Sequence, residues 1–157
     1  KARTLGADSR LGLAALGRRG EMLYSLASTD KKRLAEATEC FLALTNGRST
    51  PADLWEIAMY RLAKCYELAG NAKDALTSYL DIYYQYEHDL KQNKMRSSFY
   101  LARSIYDAAH LCELSGKPND FVKAATLYEF LADLKLPTSA DARRRAQQIR
   151  EKHELNQ

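Results

Sequence analysis

The chain has 157 residues and a formal net charge of +4, and it contains only three prolines and seven glycines. Ala, Leu, Lys, Arg and Glu dominate the rest, so we expect one nearly all-helical domain that buries roughly two-thirds of its unfolded surface. No apolar run approaches the ~20 residues that cross a bilayer, and no charged-then-apolar leader begins the chain, which excludes a membrane span and a visible signal peptide.

The first two helices follow from apolar spacing and from their end signals. The first helix is predicted from about Ser9 to Ser28. Asp30 is predicted to cap the second helix, and Asn46-Gly47 is predicted to stop it. The apolar positions of the first helix are Leu11, Leu13, Leu16, Met22, Leu23 and Leu26.

The third helix has a start signal with a physical mechanism. Thr50 can accept hydrogen bonds from the first free amides, Pro51 fits the first helical position, and Asp53 complements the positive end of the helix dipole. This helix is expected to run to the turn at Gly70-Asn71. The fourth helix follows that turn and ends at about Lys91.

The last three helices are separated by two clear breaks. The fifth helix is predicted to end at Gly116, and Asn119 or Asp120 is predicted to cap the sixth. The segment 136–139, Leu-Pro-Thr-Ser, breaks the sixth helix. A polar seventh helix over about 139–155 looks like a terminal cap, because stacked helical arrays need a last helix with a wet outer face.

A box of twelve residues occurs twice, at 59–70 and at 105–116, an offset of 46 residues. The two copies read Met-Tyr-Arg-Leu-Ala-Lys-Cys-Tyr-Glu-Leu-Ala-Gly and Ile-Tyr-Asp-Ala-Ala-His-Leu-Cys-Glu-Leu-Ser-Gly. A small, aromatic, aliphatic ladder at i, i+4 and i+7, one stripe of a helix, occurs three times. Its members are Ala37, Phe41 and Leu44, then Ala75, Tyr79 and Ile82, then Ala124, Tyr128 and Leu131.

These residues resemble the tetratricopeptide repeat family over about residues 10 to 137. Cys112 stands where the family has a tyrosine, and the ladder spacings of 38 and 49 residues exceed the family's usual ~34. The resemblance implies an all-α, right-handed superhelical stack of about three antiparallel helix hairpins plus a C-terminal capping helix. The implied hairpin units are about 9–46, 50–91 and 96–136 of a single domain over 1–157, with the cap at 139–155. The best unit matches the family at Met59, Leu62, Ala63, Tyr66, Gly70, Ala75, Tyr79 and Ile82.

The resemblance also implies a concave groove lined by the first helix of each unit. The two implied rows match in chemistry, and tyrosine offers a large contact area at little entropy cost. Alternatively, the match records duplication only, and a neighbouring helix covers the tyrosines. The first row is Ile57, Tyr60, Lys64, Glu67 and Leu68, and the second is Arg103, Tyr106, His110, Glu113 and Leu114.

The search for catalytic chemistry is negative. The three histidines lie far apart, and no HExxH spacing, cysteine pair, phosphate-binding glycine loop or nucleophile elbow occurs. Cys40, Cys65 and Cys112 are interpreted as small buried hydrophobes. The chain is therefore predicted to be non-enzymatic, with no cofactor and no metal.

Two surface features carry competing interpretations. Acidic neighbours dilute the basic runs, so these are interpreted as solvated faces and no nucleic-acid partner is expected. The aromatic excess at 83–86 and at Phe99 and Tyr100 is interpreted as packing, with an exposed patch for self-association into a homo-oligomer as the alternative. The basic runs are Arg18-Arg19, Lys31-Lys32-Arg33, Lys91 with Lys94 and Arg96, and Arg143-Arg144-Arg145.

The predicted function is a protein–protein interaction scaffold that binds a peptide or helical segment of an unnamed partner in the concave groove. The alternative is a structural or spacer segment of a larger polypeptide. The chain begins at Lys1 rather than Met, which indicates a fragment and favours that alternative. The residues leave the compartment open between a bacterial cytoplasm and a periplasm or cell envelope.

Overall fold

The computed structural model describes residue 6 and residues 9–27, 30–94 and 97–154. These residues form seven α-helices and no β-strand, which confirms the all-α class. The predicted ends at Ser28 and Leu155, and Arg96 of one basic run, lie outside them. Within the described ranges no helix combines the length and the apolar character that crossing a membrane requires. The helices are α1 (Arg10–Leu26), α2 (Lys31–Asn46), α3 (Ala52–Leu68), α4 (Ala72–Lys91), α5 (Phe99–Ser115), α6 (Pro118–Asp133) and α7 (Ser139–Lys152).

Several helix ends form as the sequence predicts. The carboxylate of Asp30 accepts a hydrogen bond from the backbone N–H of Lys32 at 2.9 Å, which caps α2. Helix α2 ends at Asn46, as the Asn-Gly signal predicts. Gly116 follows α5 in the left-handed conformation with φ of 69°, where glycine has no steric penalty.

Two predicted caps are wrong. No side-chain hydrogen bond caps α3, and the hydroxyl of Thr50 is buried without a hydrogen-bond partner among the described residues. Helix α6 begins earlier than expected because Pro118 takes its first position, which leaves Lys117 as the capping residue. Asp120 instead lies within the first turn, where it accepts hydrogen bonds from Ser115 Oγ at 2.6 Å and Lys123 Nζ at 2.9 Å.

The chain divides into two compact units, one within residues 1–81 and one within 82–157, and the division falls inside α4. In the first unit α1, α2 and α3 pack on one another. Gly20 allows the close approach of α1 to α2, because a Cβ atom there would lie 2.8 Å from the ring of Phe41. The first core comprises Leu13, Leu23, Ala37, Cys40, Phe41, Leu44, Ala58, Leu62 and Cys65.

In the second unit α6 packs against both α5 and α7. Helix α7 is amphipathic, since Ala142, Ala146 and Ile149 are buried while Arg143 and Arg144 are exposed. The C-terminal turn of α7 is held to α6 by Arg150, whose guanidinium binds both carboxylate oxygens of Glu129 at 2.6 and 2.9 Å.

The threefold ladder of small, aromatic and aliphatic residues is confirmed as core. All nine side chains are at most 2% exposed, including the large rings of Phe41, Tyr79 and Tyr128. The alanines at its first positions are fully buried, which fits sites where two helices approach closely.

Candidate functional site

In the first unit, two tyrosines, a lysine and a glutamate form a cluster joined by hydrogen bonds and ring packing. The hydroxyl of Tyr79 donates a hydrogen bond to Glu67 Oε1 at 2.7 Å. Lys64 Nζ lies 3.1 Å from the other oxygen of the same carboxylate. The ring of Tyr60 packs tilted on that of Tyr79, with 5.7 Å between centroids. We call Tyr60, Lys64, Glu67 and Tyr79 the first tyrosine–glutamate cluster.

The second unit contains the same arrangement with a different cation. Tyr128 donates its hydroxyl hydrogen bond to Glu113 Oε1 at 2.8 Å, and Tyr106 packs edge-on against Tyr128 with 5.6 Å between centroids. Arg145 of α7 reaches the same carboxylate with its Nε at 3.3 Å. Burial and the neighbouring Glu113 together raise the pKa of Tyr128. We call Tyr106, Glu113, Tyr128 and Arg145 the second tyrosine–glutamate cluster.

These clusters give the repeated glutamates a structural role. Tyr79 and Tyr128 are fully buried, and a buried hydroxyl without a partner costs about 1–3 kcal/mol. Glu67 and Glu113 supply the acceptors, so the repetition of glutamate at both positions has a cause within the fold.

The tyrosines of the two rows differ in exposure. Both rings pack on the buried tyrosine of their cluster, but Tyr60 is only 6% exposed whereas Tyr106 remains 37% exposed. Of these two tyrosines, Tyr60 is thus a packing residue and Tyr106 offers an accessible ring. Leu68, His110 and Leu114 are exposed, the Arg103 guanidinium carbon lies 5.1 Å from the centroid of the Phe99 ring, and Ile57 lines a cleft.

That cleft lies in the first unit between α1 and α3, with α2 contributing to its wall, and it encloses about 280 Å³. We call it the α1–α3 cleft. Gly17 contributes only backbone atoms to its lining. A Cβ atom there would lie 3.5 Å from Leu44 Cδ1, an ordinary contact distance. The lining residues are Ala14, Gly17, Arg18, Glu21, Phe41, Leu44, Leu54, Ile57 and Ala58.

Charged groups stand at the rim of this apolar cleft. Glu21 Oε1 accepts a hydrogen bond from Arg61 Nε at 2.6 Å, which ties α1 to α3. The guanidinium of Arg61 also lies 5.7 Å from the centre of the Tyr24 ring, and burial raises the pKa of Tyr24. Among the lining residues, only Ile57 had been predicted to bind a partner, and that prediction came from the family resemblance. The others come from three helices, and no spacing along the chain brings them together.

The cysteines are buried and free, as predicted. Burial raises the pKa of all three thiols, and that of Cys65 reaches about 11. A thiol with such a pKa is protonated near neutral pH, and the thiolate is the nucleophilic form. These side chains therefore act as small packing groups.

Comparison of this chain with protein-family models, with curated proteins and with solved structures found no match in any of the three. The likeness to the tetratricopeptide repeat family therefore rests on the residue pattern described above.

Proposed function

We propose that this protein is a non-enzymatic interaction module that binds a peptide or helical segment of another protein in the α1–α3 cleft. The observation that carries the proposal is the apolar, open cleft bordered by Arg18 and Glu21. Apolar centres with charged rims are the usual anatomy of protein–protein recognition sites.

The cleft is small and open to solvent. Its volume of about 280 Å³ is close to the lower end of the range of about 300–1,000 Å³ that is usual for ligand pockets. One or two apolar side chains presented by a partner can fill it. Leu54 and Ile57 would contact those side chains, while the charge of Arg18 would set the register.

The relation to tetratricopeptide-like arrays is part of the same proposal. The repeated boxes, the buried ladders and the two tyrosine–glutamate clusters support it, because each recurs at corresponding chain positions. The right-handed superhelical stacking and a groove formed by the two residue rows stay predictions.

A structural or spacer role is the second candidate. The two tyrosine–glutamate clusters favour it, since they explain Glu67 and Glu113 without any partner. In that case the α1–α3 cleft would be a packing defect or would be filled by another part of a longer polypeptide.

Site-specific photocrosslinking separates the two roles. A benzophenone amino acid replaces Ile57 in the cleft or, as a matched control, the exposed Ala35 of α2. In an extract of the source cells, binding in the cleft predicts a discrete protein adduct from position 57 that is absent from position 35. Equal labelling from both positions, or no discrete adduct, would favour the spacer role.

A further inference from the structure

Helix α1 has a second apolar stripe that the core does not use. Leu11, Met22 and Leu26 are 64%, 70% and 56% exposed, and with Ala15 they recur at helical spacing along one side. Leu13 and Leu23 of the same helix are buried. Helix α1 therefore has apolar residues on two sides, and only one side packs into the core. Exposed apolar stripes of this kind mark interaction sites.

A shallow depression of about 440 Å³ opens on this stripe. Its floor is apolar, with Met22 and Leu26 among the lining residues, and its edges carry three arginines from α1 and α2. We call it the outer α1 surface. It is lined by Ala15, Arg18, Arg19, Met22, Leu23, Leu26 and Arg33.

The charge of this surface is unbalanced. Arg33 lies 3.8 Å from Asp30 and 3.2 Å from Glu36, so nearby carboxylates are already engaged. Arg18 and Arg19 are exposed and form no ion pair with any side chain in the described part of the chain. Within the described ranges, two guanidinium groups beside an apolar floor therefore lack a carboxylate partner.

We propose that the outer α1 surface binds an acidic amphipathic helix of a partner protein. The helix would place its apolar side chains over Met22 and Leu26 and its carboxylates opposite Arg18 and Arg19. Arginine suits this role because its planar fork binds carboxylates with two parallel hydrogen bonds.

A second copy of this chain is a poorer match for the same surface. Self-association would bring together two surfaces that both carry arginines at their edges, and like charges disfavour association. Sequence reasoning treated this arginine pair as a solvated face. The exposed apolar side chains of Met22 and Leu26 lie beside these arginines, so we interpret the pair as part of a binding surface instead.

The outer α1 surface is separate from the α1–α3 cleft, and Arg18 is the one residue that lines both. Variants at Arg19 and Met22 therefore test the outer α1 surface without altering the cleft. If the outer α1 surface fails to bind, the crosslinking result at Ile57 still stands. If crosslinking at Ile57 fails, the test of the outer α1 surface still stands.

The test uses the full chain and a synthetic helical peptide of three heptads. Each heptad has leucine at its two apolar positions, a and d, and glutamate at the flanking positions e and g. Fluorescence anisotropy should show saturable binding that weakens with salt. A counterpart peptide with lysine in place of glutamate should bind at least about tenfold more weakly, because it reverses every charge contact.

Two exposed positions supply the protein variants. Arg19→Glu and Met22→Gln should each weaken binding of the acidic peptide about fivefold, through charge reversal and loss of apolar contact respectively. Arg48→Glu, at an exposed arginine between α2 and α3, is the matched charge control and should leave the affinity unchanged. Circular dichroism melts should be the same for all variants.

Three results would overturn the proposal. One is no binding of the acidic peptide, and another is equal weakening by Arg19→Glu and Arg48→Glu. The third is tighter association with phosphatidylglycerol vesicles than with the peptide, which would assign the surface to a membrane instead.

Discussion

The second tyrosine–glutamate cluster allows a quantitative test of the structural role of Glu113. Replacing Glu113 by Ala leaves the buried hydroxyl of Tyr128 without its acceptor, which should cost about 1–3 kcal/mol. It also removes the carboxylate that Arg145 contacts, a partly exposed pair that adds at most about 1 kcal/mol. We therefore expect Glu113→Ala to lower the free energy of unfolding by about 1–4 kcal/mol.

Tyr128→Phe removes the hydroxyl and so removes the need for an acceptor. In that background Glu113→Ala should lose only the contact with Arg145, so a double-mutant cycle should give a coupling of about 1.5 kcal/mol. The cycle is measured by urea unfolding followed by circular dichroism. Glu67 and Tyr79 of the first cluster should give a similar value.

Glu39→Ala is the matched control, because this exposed glutamate of α2 has no hydrogen-bonded partner in the described residues. It should change the free energy of unfolding by less than about 0.5 kcal/mol. Couplings near zero at both clusters would refute the reasoning. The repeated glutamates would then need an explanation outside the fold.

Three further predictions concern single substitutions at four positions. Gly20→Ala should destabilise by about 1 kcal/mol, because crowding against the Phe41 ring outweighs the helix propensity that alanine adds, whereas Gly17→Ala should stabilise by about 0.5–1 kcal/mol; thermal melts compare the two. Ser104→Ala should keep or raise the free energy of urea unfolding by up to about 1 kcal/mol, since its buried hydroxyl has no hydrogen-bond partner among the described residues; a clear loss would contradict this. Burial, aided by Glu87, raises the pKa of Tyr83 from 10.0 to about 12. Neutral Tyr83 therefore contributes its full share to the free energy of unfolding below pH 10, and this share is lost as pH rises towards 12. Tyr83→Phe should flatten that alkaline decline, and an unchanged pH profile would count against the assignment.

Features that depend on nearby residues were predictable from the sequence. The Asp30 cap, the left-handed turn at Gly116 and the buried ladder ending in Tyr128 and Leu131 each follow from side chains a few positions apart. The Thr50 cap failed although its signal was local. Its hydroxyl lies buried near Gly47 instead of at the amides of α3.

The candidate site was less accessible to such reasoning. The family resemblance implied that Tyr60 lines a groove, but its ring packs on Tyr79 from the next helix and is only 6% exposed. The repeated glutamates were visible, yet the hydroxyl that Glu67 accepts from lies twelve residues further along the chain. The α1–α3 cleft needs Gly17, Leu44 and Ile57 together, and only packing of three helices brings them to one place.

The most direct test of the proposed function is the affinity of the partner segment crosslinked at position 57 for three forms of the chain. Ile57→Lys places a charge in the α1–α3 cleft and removes an apolar contact, so we expect binding at least about tenfold weaker. Ala35→Lys adds the same charge at an exposed site and should bind like the wild type. Equal affinity of all three forms, with unchanged melting temperatures, would contradict binding in the cleft.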